Sequence, residues 1–127
     1  MNIEEIAEEL EKLKYQVRTL GETIDYRTHP VEALILSLDW GEGDIDRAHD
    51  IFEKYDNKLE AGEVVNWHEF EHELRDAFGI GYQTVKSIVL AFYANHQWTN
   101  VCYGYAMSFE PTTPVEFHRI TRGEGNL

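Results

Sequence analysis

The chain has 127 residues, a length typical of one domain with one hydrophobic core. Its composition, 43% hydrophobic and 13% aromatic, is too apolar for a disordered chain. The N-terminus is acidic, unlike a secretory signal, and the longest apolar stretch, residues 88–94, is far below the roughly 20 residues that span a bilayer. A single cysteine, Cys102, cannot form an intrachain disulfide. We therefore expect one soluble, cytoplasmic domain that needs no cofactor.

The net charge of −13 is the most unusual property of the chain. It is concentrated in residues 30–65, which hold ten Asp or Glu and only three Lys or Arg. Such a segment repels phosphates and attracts basic partners. Two interpretations stay open, since the same charge can form a partner-binding surface or a solvated face adapted to solubility or to a salty interior.

An N-terminal helix, residues 1–24, is predicted by apolar residues at alternating spacings of three and four. Glutamates fill its first half and basic residues its second half, which complements the helix dipole. If a second copy covers this apolar seam, Glu9 reaches Lys14 of the other helix; the alternative is packing onto the chain's own domain. We predict the homodimer, through the seam Ile3, Ile6, Leu10, Leu13, Val17, Leu20 and Ile24.

Four more helices are predicted within a single globular domain at residues 30–122, which is followed by a flexible tail at 123–127. The first begins at Pro30 and runs through Leu38, and the others span about 44–55, 66–78 and 82–95. Asp44 and Asn66 are the predicted N-caps of the second and third. Val64 and Val65 predict one short strand between them.

The third and fourth of these helices flank a short turn. The segment 73–89, ELRDAFGIGYQTVKSIV, resembles a helix-turn-helix, with Leu74 and Phe78 at the apolar positions of the first helix and Gly79 at the turn. It departs from that motif at Arg75, where a small residue is preferred.

A β-hairpin is predicted after these helices, because residues 101–109 alternate in polarity and 115–121 form a second β-like run beyond a PTTP turn. This order of elements is similar to that of a winged helix. The predicted fold is therefore α+β, mainly helical and winged-helix-like. The resemblance implies an alternative function, a dimeric DNA-binding transcription regulator, with contacts from Tyr82, Gln83, Lys86, Ser87, Arg119 and Arg122.

Two short motifs suggest metal binding. Residues 68–72, His68-Glu69-Phe70-Glu71-His72, match the H-E-x-x-H spacing of a zinc-dependent hydrolase, a remote alternative. The helical periodicity places both histidines on the solvent side of their helix, and only His96 lies within reach as a third ligand. The segment 56–69 resembles an EF-hand loop, but its register fails in both directions of counting. We predict no bound metal.

The preferred hypothesis is a small acidic inhibitor or regulator that binds a basic protein or a nucleic-acid-binding enzyme and mimics nucleic-acid phosphates. The stretch GDIDRAHDIFEKYD, residues 43–56, resembles part of some antirestriction proteins, but 14 residues do not define a family. Acidic inhibitors share this size and charge. The predicted partner-binding residues are Asp39, Glu42, Asp44, Asp46, Asp50, Glu53, Asp56, Glu60 and Glu63.

Overall fold

The computed structural model describes residues 1–123, and most of the predicted tail at 123–127 lies outside them. Within residues 1–123 the chain forms seven α-helices, one 3-10 helix and no strand. The α-helices are α1 (Ile3–Gly21), α2 (Pro30–Ser37), α3 (Glu42–Glu60), α4 (Trp67–Phe78), α5 (Tyr82–Ala94), α6 (Thr99–Met107) and α7 (His118–Thr121), and the 3-10 helix is Val115–Phe117. No helix in this range is both long and apolar enough to cross a membrane.

The predicted α+β, winged-helix-like fold is wrong, because the C-terminal segment expected to form a hairpin folds into α6, the 3-10 helix and α7. In the predicted strand, the alternating pattern of residues 101–109 would place Val101, Tyr103 and Tyr105 on one face and Cys102 on the other. In the helix, Val101, Cys102 and Tyr105 are all fully buried, a spacing of one and then three that fits a helix and not a strand. A short apolar run that satisfies both periods cannot be assigned from periodicity alone. The predicted strand at Val64 and Val65 is also wrong, since both residues lie in the loop between α3 and α4.

The helical part of the prediction is confirmed for α1 to α5. The end signals of α4 act as expected: the Asn66 side chain accepts hydrogen bonds from the amides of His68, at 3.0 Å, and Glu69, at 3.3 Å. At the other end Gly79 closes the helix with a left-handed backbone, φ 62°. The turn between α4 and α5 takes only residues 79–81, so two consecutive helices flank a short turn as predicted.

The core lies where α3, α4, α5 and α6 meet, with α2 packed on α5 and α7 on α6. Its aromatic side chains come from different helices and pack edge to face. Phe52 of α3 lies 5.2 Å from Phe70 of α4 and 4.8 Å from Phe92 of α5, with ring planes tilted by 82° and 71°. Edge-to-face contacts of this kind add about 0.5–1.5 kcal/mol each beyond area burial. This core holds α3 in place, with one face inward and one outward.

Helix α1 stands apart from that core. None of its residues is buried, and its apolar seam is open to solvent: the exposed fraction is 52% at Leu10 and 51% at Leu13. The helix ends at Gly21, so Ile24, the last residue of the predicted seam, lies outside it and is half-buried. The remaining six seam residues belong to α1.

Candidate protein-binding surface

The outer face of α3 carries the acidic residues that the sequence singled out. The inner face buries Ala48, Phe52 and Tyr55 in the core. On the opposite side six acids follow one another at spacings of four, four, three, three and four residues, so they form one line along the helix. We call them the acidic stripe: Glu42, Asp46, Asp50, Glu53, Asp56 and Glu60. At 1.5 Å per residue the stripe is about 27 Å long. All six are exposed except Asp56, which is half-buried.

The basic residues of α3 are directed away from the stripe. Arg47 donates from Nη1 to the carbonyl oxygen of Ala77, at the end of α4, over a distance of 2.7 Å. Lys54 forms an ion pair with Glu73 of α4, and the Lys58 ammonium lies 5.4 Å from the centre of the Tyr55 ring. Within residues 1–123, no salt bridge involves a carboxylate of the stripe. The stripe is therefore uncompensated by the helix that carries it.

The contacts that hold α3 to α4 keep this division of charge in place. Glu73 accepts hydrogen bonds from both Lys54 and the Tyr55 hydroxyl, the latter at 2.8 Å. Burial, and then the bond to Glu73, raises the pKa of Tyr55 far above its usual value, so the hydroxyl stays protonated and remains a donor. Because Tyr55 is itself fully buried, this bond fixes the rotation of α3 about its axis. The acidic stripe consequently faces outward.

Three of the predicted partner-binding residues lie outside the stripe. Asp44 is not the N-cap of α3; that position is Gly41, whose amide donates to Asp44 Oδ2 over 2.9 Å. Asp44 also contacts Arg47 at 3.5 Å and is therefore engaged within its own helix. Asp39 lies at the corner before α3 with a left-handed φ of 56°, and Glu63 lies in the loop after it.

The residues predicted for DNA binding do not combine into one basic face. Lys86 is half-buried and lies 3.5 Å from Glu116, which precedes α7. Bonding to its own backbone amide and the attraction of Lys86 lower the pKa of Glu116, so this carboxylate stays ionised at neutral pH. Tyr82 stacks beneath the guanidinium of Arg75, 4.4 Å from the ring centre, and Ser87 donates to the carbonyl oxygen of Gln83.

The remaining two residues of that set, Arg119 and Arg122, lie in α7 and at its end. Arg119 borders a groove of about 720 Å³ between α2 and α5, which Arg27 and Ser87 also line, so the structure brings Ser87 and Arg119 of the predicted set together. Lys86 of the same set is paired with Glu116 instead. The DNA-binding regulator stays a prediction with no continuous positive surface on α5 to support it.

The zinc motif is on α4, where His68 and His72 are both exposed. Their neighbour Glu71 turns the other way and is buried, with an exposed fraction of 6%. Among residues 1–123, no group of three or more His, Cys, Asp or Glu side chains is arranged to hold a metal ion. The EF-hand-like segment does not form a calcium loop either, because Asp56 and Glu60 are inside α3.

Sequence reasoning missed the burial of Glu71. This carboxylate lies against Tyr105 of α6, whose pKa is raised first by burial and then by the charge of Glu71, although no hydrogen bond of good geometry joins them. A signal was present, since Glu71 follows Trp67 by four residues and precedes Leu74 by three, positions that share the inner face of α4. Burying an ionisable group is costly, so the position of Glu71 on this face did not by itself predict its burial.

Comparisons of the chain with models of protein families, with curated proteins and with solved structures found no match. The interpretation of the acidic stripe therefore depends on its geometry and charge, and not on the known function of a relative.

Proposed function

We propose that the chain is a binding protein without enzymatic activity of its own, and that the acidic stripe docks onto a basic surface of a partner protein. The observation that carries this proposal is the separation of charge on α3. Arg47, Lys54 and Lys58 are tied to α4 or to the Tyr55 ring, so none of them neutralises the stripe. A basic partner supplies the missing counter-charges.

The dimensions of the stripe support mimicry of nucleic-acid phosphates on that partner. One strand of B-form DNA carries a phosphate about every 3.4 Å along the axis, so about eight phosphates fall within about 27 Å. The stripe places six carboxylates over the same length. Because the strand winds around the axis, a straight stripe corresponds to the phosphates on one face of the duplex, and it offers a groove lined by Lys and Arg a row of negative charge of comparable length.

The cost of the stripe to the free protein also favours a binding role. Like charges three or four residues apart destabilise a helix by about 0.2–0.5 kcal/mol per pair. The six acids form five such neighbouring pairs, which gives a total of about 1–2.5 kcal/mol. A solvated helix avoids this cost by interleaving both signs on its outer face. Solubility requires net charge alone, which can be distributed anywhere on the surface.

Charge reversal with a matched control tests the proposal. The test variant is Asp46→Lys, Asp50→Lys and Glu53→Lys, which inverts the centre of the stripe. The control is Glu32→Lys, Asp76→Lys and Glu110→Lys, three exposed acids on other surfaces that change the net charge by the same amount. Each tagged protein is incubated with extract of its own source cell, and retained proteins are identified by mass spectrometry.

We expect the wild type and the control to retain the same basic protein and the stripe variant to lose it. Circular dichroism of the three proteins confirms that each is folded, since none of the six positions is buried. Equal retention by all three proteins contradicts the proposal, because the stripe then contributes nothing to recognition. Loss in both variants also contradicts it, because net charge alone then explains capture.

A further inference from the structure

A second surface, independent of the acidic stripe, lies between the first two helices. The exposed seam of α1 faces α2 across an open groove with a volume of about 660 Å³. Leu10, Leu13 and Val17 of α1 form one wall, and Ala33 and Leu36 of α2 form the other. We call this the α1–α2 groove. The two helices approach each other at Gly21, where a Cβ would lie 3.3 Å from the Leu36 side chain.

A helix in the position of α1 requires a further packing partner. Isolated helices of fewer than about 15 residues are marginal in water, and longer ones gain most of their stability from packing of an apolar face. Helix α1 has 19 residues, of which none is buried. Its six seam residues extend over its whole length, from Ile3, 84% exposed, to Leu20, 66% exposed. Something apolar and elongated must therefore cover the seam.

We propose that the α1–α2 groove binds α1 of a second copy of this chain, in antiparallel orientation. Reversing the helix maps the seam onto itself. Ile3 then lies opposite Leu20 of the second copy, Ile6 opposite Val17, and Leu10 opposite Leu13. The alternating spacing of three and four residues brings every seam position of one helix against a seam position of the other.

Charge complementarity selects this occupant and this direction. The first half of α1 contains five glutamates and no basic residue up to position 11. The second half contains Lys12, Lys14 and Arg18, of which Lys14 and Arg18 line the groove together with the carboxylates of Glu22 and Asp39. An antiparallel partner places its acidic first half beside these cations, so that in this register Glu9 of the second copy is level with Lys14 and Glu5 is level with Arg18. The two helix dipoles also oppose each other in this arrangement.

A parallel partner instead brings the two acidic halves level with each other and the two basic halves level with each other. The parallel pair has one advantage, a contact between Glu9 and Lys14 of the two copies.

Cysteine exchange distinguishes the two orientations. The variants Ile3→Cys and Leu20→Cys each place one thiol at an exposed end of the seam. The native Cys102 does not interfere, because it is fully buried and its pKa is raised to about 12 by burial. The two variants, with tags of different mass, are mixed in equal amounts in a glutathione redox buffer, and the disulfide products are separated by size.

The proposal predicts that most of the cross-linked product joins Ile3→Cys to Leu20→Cys. Homotypic products as the main species overturn the antiparallel arrangement. Sedimentation of the wild type as a monomer at micromolar concentration overturns the dimer itself.

A further pair of variants separates dimerisation from folding. Leu10→Glu with Leu13→Glu, at the centre of the seam, should give a folded monomer, because burying these charges in an apolar interface is costly and no core residue is changed. The matched control is Val64→Glu with Val115→Glu, two exposed valines away from the groove, which should remain dimeric. Retention of the dimer by the Leu10 and Leu13 variant contradicts the proposal. Unfolding of that variant indicates packing within one chain and contradicts it as well.

Discussion

Neutralising the centre of the acidic stripe should stabilise the free protein. In the variant Asp46→Asn, Asp50→Asn and Glu53→Gln the side-chain shapes are kept and helix propensities change little. The three changes remove four of the five like-charged neighbour pairs, those from Glu42 to Asp56. At about 0.2–0.5 kcal/mol per pair the expected gain in the free energy of unfolding is about 1–2 kcal/mol. The gain is electrostatic, since all three residues are exposed and none contacts the core.

Urea denaturation at two salt concentrations measures this gain and its origin. Neighbouring charges on a helix surface are about 5–6 Å apart. The Debye length falls from about 10 Å at 0.1 M salt to about 3 Å at 1 M, so most of the repulsion is screened at high salt. We expect the advantage of the variant over the wild type to shrink by at least half at 1 M NaCl. A variant that is no more stable than the wild type at low salt refutes the reasoning, because the carboxylates then do not repel one another in the folded protein.

Three further predictions follow from packing, capping and burial. A Cβ at Gly104 would lie 2.4 Å from Cζ2 of Trp67, so Gly104→Ala should lower the free energy of unfolding by about 1–2 kcal/mol, although alanine has the better helix propensity. Gly43 has open space around it, so Gly43→Ala should raise the free energy of unfolding by up to about 1 kcal/mol. Urea titration of both variants gives the signs of these changes. Asn66→Ala removes the acceptor for two amides at the start of α4 and should cost about 1 kcal/mol in the same assay, and an unchanged midpoint would show that the cap is dispensable. The Cys102 thiol, whose pKa is raised to about 12, should react with iodoacetamide at pH 8 only as fast as the protein unfolds, so rapid labelling of the native protein would show that the site opens locally.

The helices that could be predicted from the sequence are those whose pattern of apolar residues fits a helix and not a strand. In α1 the spacing of apolar residues continues for the whole helix, and in α4 an N-cap asparagine and a closing glycine mark both ends. Helix α6 differs because it has only nine residues. Its apolar side chains fit the period of a strand and the period of a helix equally well. The helix is favoured because it buries Cys102 against α5, where the Cys102 thiol contacts the carbonyl oxygen of Val89. Such a tertiary contact is not visible in the local sequence.

The acidic stripe could be predicted because its members repeat at helical spacing, but its limits could not. Helix α3 begins two residues before the predicted start and continues five residues beyond the predicted end, and this extension brings Glu42, Asp56 and Glu60 onto the stripe. The same shift moves Asp44 from the N-cap to the third helical position, where it bonds to Gly41. The burial of Glu71 depends on the position of α6, which the sequence assigned to a hairpin.

Competition with DNA for the captured partner tests the central claim most directly. The basic protein retained by the chain is purified, and its affinity for the chain is measured with increasing amounts of a duplex oligonucleotide of about 20 base pairs, long enough to exceed the stripe. If the acidic stripe occupies a phosphate-binding surface, DNA and the chain exclude each other, and the apparent dissociation constant rises linearly with the DNA concentration. A ternary complex of partner, DNA and chain, with the affinity unchanged, contradicts the claim.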